Sequence, residues 1–252
     1  MASSTDGLLI EVARCPIVAS CIASETRTHV CSEVVLSQEC ANIAEFKVPE
    51  PWSGDLENAP ILFLSSNPTI DTSDNPEVYP TSNWPDTRIE DYFKNRFGGG
   101  QEPWTNDLRN QRSDGSYSRK GRYWSAVDAR AAELLGRRPV PGTDYSLSEV
   151  VHCKSDGEIG VEAALQECAP RWLRRVLELA GATVVVCLGV RARAAMQELA
   201  AFGDAQYVSS TDIGGKRRAL VFLPHPNARI RRSFKACLTP PQLAELQALC
   251  QQ

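Results

Sequence analysis

Along this chain, short unbroken runs of aliphatic residues alternate with longer stretches rich in good helix formers. Residues 61–64, 148–152, 183–188 and 219–223 read as strands, short and apolar enough to be covered on both faces, as parallel strands are. Between them, residues 87–97, 123–135, 161–179 and 191–202 carry helical spacing, with an interruption expected at Pro170, and Thr239-Pro240 opens a last helix. Strand and helix in alternation predict an α/β fold, a three-layer α/β/α sandwich around a short, mainly parallel four-stranded sheet. The 252 residues suffice for one domain with a full core, residues 1–50 forming a cysteine-containing segment packed on it. Residues 98–121, rich in Gly, Ser, Asn and Arg, read as a mobile loop. Its Arg109, Arg112, Arg119, Lys120 and Arg122 either touch a nucleic-acid backbone or face water.

Two of the strands end abruptly in polar, proline-bounded turns, Ser65-Ser66-Asn67-Pro68-Thr69 and His225-Pro226-Asn227. Parallel strands would bring these turns to the same end of the sheet, where open α/β folds bind ligands. The two turns resemble the signature loops of the uracil-DNA glycosylase superfamily, a water-positioning Gly-x-Asn-Pro-Gly-like loop and a His-Pro-Ser-like loop, with Ser65 in place of the opening glycine. The resemblance implies a DNA glycosylase that flips a base out of the stack and hydrolyses its N-glycosidic bond. On that basis Asn67 orients the attacking water and His225 donates a hydrogen bond to the departing base as negative charge grows on it. Asp71 is a second candidate for water activation or, alternatively, a helix cap. Ser66, Pro68, Glu149 and His152 would border the base. Arg229, at the family's intercalating position, either inserts into the stack or holds a phosphate, and Asn227 stands beside it.

Net charge is −4, yet it is unevenly spread: residues 1–150 hold 14 basic and 22 acidic side chains, residues 151–252 hold 13 and 9. Lys216, Arg217, Arg218, Arg229, Arg231, Arg232 and Lys235 form a basic run without an acidic residue. It reads as a DNA-contacting face around the His225 turn, or as a solvated one. No apolar stretch approaches the roughly 18 residues of a membrane span, and residues 1–14 lack the pattern of a signal peptide. The expectation is a cytoplasmic monomer that binds DNA and no membrane.

Nine cysteines without a secretory signal point to reduced thiols or metal ligands rather than disulfides. Cys153 and Cys168, with fourteen residues between them and Pro170 close behind, are similar to the paired cysteines of the superfamily's iron-sulfur branch. The resemblance implies a four-iron four-sulfur cluster completed from the N-terminal segment by Cys31 and Cys40, with Cys15 and Cys21 as alternatives; zinc and plain buried thiols remain open. In that branch an Asn four residues before the first of these cysteines reads the pyrimidine edge, and here Glu149 stands at that offset. A carboxylate accepts and does not donate, so it would face uracil O4 with repulsion and welcome the cytosine amine. The implied substrate is a C5-modified cytosine, possibly glucosylated hydroxymethylcytosine, excised in anti-phage defence. Alternatives are repair of uracil or another deaminated base, and a non-catalytic, metal-containing nucleic-acid-binding module.

Overall fold

A computed structural model describes residues 4–24, 26–40, 42–100, 104–200, 204–230 and 233–251. The strands are β1 (Trp52–Ser53), β2 (Ile61–Ser65), β3 (Thr105–Asn106), β4 (Arg109–Asn110), β5 (Tyr145–Glu149), β6 (Val184–Leu188), β7 (Tyr207–Ile213) and β8 (Lys216–Leu223). The helices are α1 (Thr5–Ala13), α2 (Pro16–Ala23), α3 (Ser32–Leu36), α4 (Asp86–Lys94), α5 (Arg122–Leu135), α6 (Val161–Cys168), α7 (Arg174–Leu179), α8 (Val190–Leu199), α9 (Phe234–Cys237) and α10 (Pro240–Leu249). Among the described residues the main sheet has six strands in the order β1-β5-β2-β6-β8-β7. The four inner strands run parallel, as expected, and β1 and β7 pair antiparallel at the edges.

The continuous apolar character of the inner strands has a direct cause. Successive side chains of a strand point to opposite faces, and here each face is covered. Ile61, Phe63, Val184, Val186 and Val221 pack with α5, α9 and α10, whereas Leu62, Leu64, Val185, Cys187 and Leu220 pack with the helices of the other layer. Leu8, Leu9 and Val12 of α1 and Val34 and Val35 of α3 belong to that second core. The N-terminal segment is thus a working part of the layer.

Several expected boundaries move, each for an identifiable reason. The second strand lies at Tyr145–Glu149 rather than residues 148–152; its Ser146 and Ser148 are fully buried polar residues that conceal a core strand, and the Ser148 hydroxyl donates to Pro51 O at 2.7 Å. Strand β7 alternates polar and half-buried positions, and it turns into β8 through Gly214-Gly215, both at positive φ (+61° and +73°) as a tight hairpin requires. Pro170 does not break its helix. Residues Ala169–Leu173 widen into a π turn between α6 and α7, which accommodates the ring and the missing N–H. The expected mobile loop is, over residues 104–121, built into the fold, with a small β3-β4 hairpin and a buried Trp104.

Candidate active site

Among the parallel strands the chain runs from β2 out to β5 and then back past β2 to β6, so the connections diverge at the carboxyl end of β2. Ligands bind at such a switch point in open α/β sheets. The Asn67 turn leaves β2 and the His225 turn leaves β8, two strands away, about 10 Å at ordinary strand spacing. Both turns line one cavity of about 630 Å³, together with Ser66, Pro68, Tyr123 and Glu149. The two segments singled out from sequence are thereby brought together.

Asn67 is held hard. Its Nδ2 donates to Pro68 O at 2.9 Å and to the Ser155 hydroxyl at 2.8 Å. With both amide protons engaged, the carbonyl Oδ1 is the group left to accept from a water. The turn is also stitched to the segment beyond β5 through its backbone: Ser155 N donates to Pro68 O, and Ile70 N to Ser155 O, each at 3.1 Å. Ser155 is itself buried. On the opposite side, Asn227 N donates to His225 Nδ1 at 3.3 Å, which in the neutral ring puts the proton on Nε2 as a donor. The imidazole stacks on Tyr123, with ring centroids 5.9 Å apart and planes 22° from parallel, and the Tyr123 hydroxyl bonds Ser65. Gly189, at φ +91°, allows this approach: a Cβ there would stand 3.2 Å from His225 Cβ.

The cavity floor is a buried charged network. Arg96 pairs with Glu50 at 2.8 Å and approaches Glu77 at 3.9 Å, and Lys154 pairs with Glu77 at 2.8 Å. Burial alone would raise the Glu77 carboxyl, but Lys154 and Arg96 outweigh it and hold the carboxyl below its ordinary range. Glu149 completes the group without a counter-ion of its own. It is 6% exposed, and its Oε2 has no hydrogen-bond partner among the described residues. Three buried carboxylates (Glu50, Glu77, Glu149) face two buried cations (Arg96, Lys154), an imbalance that one proton removes. Burial, reinforced by the neighbouring Glu50, pushes the Glu149 carboxyl well above its usual range, with Lys154 and Arg96 opposing the shift. None of Glu50, Glu77, Arg96 and Lys154 was expected from sequence, because charged residues in loops ordinarily read as solvated.

Other expected residues take different places. Asp71 does not line the cavity; it accepts from Ser73 N at 3.1 Å and Glu77 N at 3.0 Å and pairs with Arg112 at 3.4 Å, bracing the turn after Asn67. His152, expected at the base, points into the core. Its Nδ1 bonds Glu50 O at 2.6 Å, and burial drops its pKa to about 4. Lys216, Arg217 and Arg218 fall at the start of β8, at the other end of the strand from the turn that carries His225. Arg218 is moreover buried, donating to Leu177 O and Ala180 O beneath the end of α7. Arg229 and Asn227 do flank the His225 turn, and both line a second cavity there. Arg231 and Arg232 lie outside the described residues.

Of the cysteines, Cys15, Cys21, Cys31, Cys153 and Cys168 gather beneath the sheet's end, close enough to raise one another's thiol pKa values beyond what burial already does, Cys31 to about 12. Cys40 stands apart from them, its electrostatic neighbour being Glu45. Among the described residues no three His, Cys, Asp or Glu side chains are close enough to hold a single metal ion.

The chain matches the family model of the Uracil DNA glycosylase superfamily over residues 51–248, which includes β2, β5, β6, β8 and both turns. No curated protein matches it.

Two outcomes follow from this geometry. Ser155→Ala frees the Asn67 amide to rotate and should lower the single-turnover rate of base release about 10-fold with little change in KM, whereas Ser155→Thr, which keeps the hydroxyl, should retain most of the rate. Equal kinetics for Ser155→Ala and the wild type would detach Ser155 from the reaction. For Glu149 the sign is the reverse of the usual carboxylate. The folded state keeps a proton that the unfolded chain has lost above its ordinary pKa of 4.5, so stability falls as pH rises above that value. Glu149→Gln should therefore melt like the wild type near pH 4 and progressively above it toward pH 8; parallel melting curves would show that Glu149 is ionised.

Proposed function

The chain belongs to the Uracil DNA glycosylase superfamily, and we propose that its cavity excises a pyrimidine from DNA, the preferred base being a C5-modified cytosine met in anti-phage defence. The observation that carries the reaction is the convergence of Asn67 and His225 on one cavity from two turns of the sheet. Rupture of the N-glycosidic bond leaves positive charge on the sugar and negative charge on the base. Asn67 Oδ1, immobilised by Ser155, aims a water at the sugar, and His225 Nε2–H supports the anion on the base, backed by the Tyr123 ring. Asp71 serves this chemistry by bracing the loop that carries Asn67.

Glu149 is the group that reads the pyrimidine edge. A neutral carboxylic acid donates through its O–H and accepts through its carbonyl, which matches N3 and the amine of cytosine as a two-point pair. The unpartnered buried Ser66 hydroxyl offers the cavity a further contact. Excision of unmodified cytosine would erode the host's own genome, which leaves a cytosine marked at C5. One observation favours a second reading: the raised Glu149 carboxyl favours the neutral acid, which also satisfies N3–H and O4 of uracil, so repair of a deaminated base is the competing assignment.

The thiol group supports the iron-sulfur reading through Cys153 and Cys168 with two of Cys15, Cys21 and Cys31, Cys40 standing nearer Glu45. Among the described residues no three of these side chains are close enough to hold one zinc ion. Bound there, a cluster would tie the N-terminal helices to the segment after β5; the reaction needs nothing from it.

Single-turnover assays on oligonucleotides carrying uracil, hypoxanthine, 5-hydroxymethylcytosine or its glucoside should give abasic product fastest from the C5-modified cytosines. A clear preference for uracil would select the competing assignment, and no abasic product from any of them would leave a DNA-binding module. Asn67→Ala and His225→Ala should each lower the rate by about 10²–10³-fold with the fold intact. Protein purified without oxygen should contain iron and sulfide and absorb broadly near ~400 nm, and Cys153→Ala should abolish both; stoichiometric zinc or a metal-free stable protein would exclude the cluster.

A further inference from the structure

Ten buried side-chain atoms among the described residues have no hydrogen-bond partner, and four of them belong to residues that line the cavity between Asn67 and His225: Ser66 Oγ, Arg96 Nε, Asn110 Oδ1 and Glu149 Oε2. Buried polar atoms are ordinarily paired, so their concentration at one cavity marks where a ligand supplies the partners. Asn110 is contributed by the small hairpin, of which it is the last strand residue. The turn of that hairpin, Asp107-Leu108, holds positive φ at both places (48° and 61°). Such a two-residue turn ordinarily carries Asn-Gly, yet here a leucine takes the second place and is buried against the cavity. Lys120 and Arg138 grip the Asp107 carboxylate, at 2.8 and 3.4 Å, and hold the tip in place.

The Asn110 amide has one orientation. Its Nδ2 donates to Glu77, whose carboxylate, held ionised by Lys154 and Arg96, accepts and does not donate. The carbonyl Oδ1 is therefore the free end. The backbone behind it is fixed on Ser118: Asn110 N donates to the Ser118 hydroxyl at 3.0 Å, and Ser118 N donates to Asn110 O at 2.9 Å. We propose that Asn110 sets the substrate specificity of the cavity, its Oδ1 accepting from a hydroxyl on the C5 substituent of the excised cytosine. The inference rests on the reading of the cavity as one for C5-modified cytosine, and it names the class of substituent, a hydroxylated one. The two-point pair at Glu149 uses N3 and the amine, so a further acceptor needs a donor elsewhere on the base. Position C5 carries one only when its substituent does, and that donor separates a hydroxylated cytosine from plain or methylated cytosine. A cavity of about 630 Å³ accommodates more than a pyrimidine ring, which leaves room for the substituent.

The test compares 5-hydroxymethylcytosine with the nearly isosteric 5-ethylcytosine, which lacks the hydroxyl, in otherwise identical oligonucleotides. Wild-type protein should release the hydroxyl-bearing base about 10-fold faster or more in single turnover, because the analogue leaves the Asn110 carbonyl unpaired. Asn110→Leu, close in size, should bring the ratio near one while the rate on 5-ethylcytosine changes little. A merely structural role for Asn110, or a contact with the amine that every cytosine carries, would slow both substrates together and leave the ratio standing. That result, or equal rates on the two bases in the wild type, would overturn the proposal. The same pair is compared for binding, as fluorescein-labelled oligonucleotides titrated with His225→Ala protein, with and without the Asn110→Leu change. Binding that favours the hydroxyl and loses the preference in the Asn110→Leu background keeps the contact even where wild-type protein releases no base, an outcome that sinks excision alone. Base release at a ratio that Asn110→Leu leaves unchanged sinks the contact and keeps excision.

Discussion

The fold around the site hangs on the burial of Arg96. Its guanidinium lies beyond α4, 4% exposed, and joins Glu50, which precedes β1, to Glu77, which lies in the long connection after β2; Lys154, beyond β5, closes on Glu77 from the other side. Four segments outside the helices and strands are thus fixed to one another by charge. Burying such a group is unfavourable for each ion taken alone, and the loss of one partner strands the rest. The same network leaves Glu149 at the cavity without a counter-ion of its own, and burial beside Glu50 raises its carboxyl well above the usual range.

The parallel inner strands, the layering and the two turns that line the cavity were legible in the sequence, because burial on both faces writes an unmistakable aliphatic run and because proline marks where β2 and β8 stop. Strand β5 was misplaced by three residues since its buried serines look like turn residues. The edge strands were missed: β1 has two residues and β7 is polar on its outer side. At the site, Asn67 and His225 could be found by their turns. Ser155, Glu50, Glu77, Arg96 and Lys154 could not, because what defines them is a partner distant in sequence. Arg218 shows the opposite error, a basic residue in a basic run that the fold spends on the carbonyls ending a helix.

The basic run therefore divides into two unrelated parts. Lys216 to Arg218 secure the β7-β8 hairpin to the end of α7, Lys216 and Arg218 both donating to Ala180 O and Arg217 to the Ser210 hydroxyl. Arg229 remains at the cleft, where it joins Lys120, Arg122 and Arg130 from a region that had looked like loose loop and helix start. Positive potential at the cleft is assembled in three dimensions from pieces that no window of sequence contains.

The four residues from His152 to Ser155 are spent by turns on two neighbourhoods. His152 and Cys153 belong to the core and the thiol group, Lys154 and Ser155 to the cavity floor and the Asn67 turn. Only one residue separates a cysteine of the thiol group from the hydroxyl that orients the water-bearing amide. The backbone that sets the Ser155 hydroxyl against Asn67 is thus the same backbone that places Cys153 in the thiol group, so neither neighbourhood can be repacked without the other.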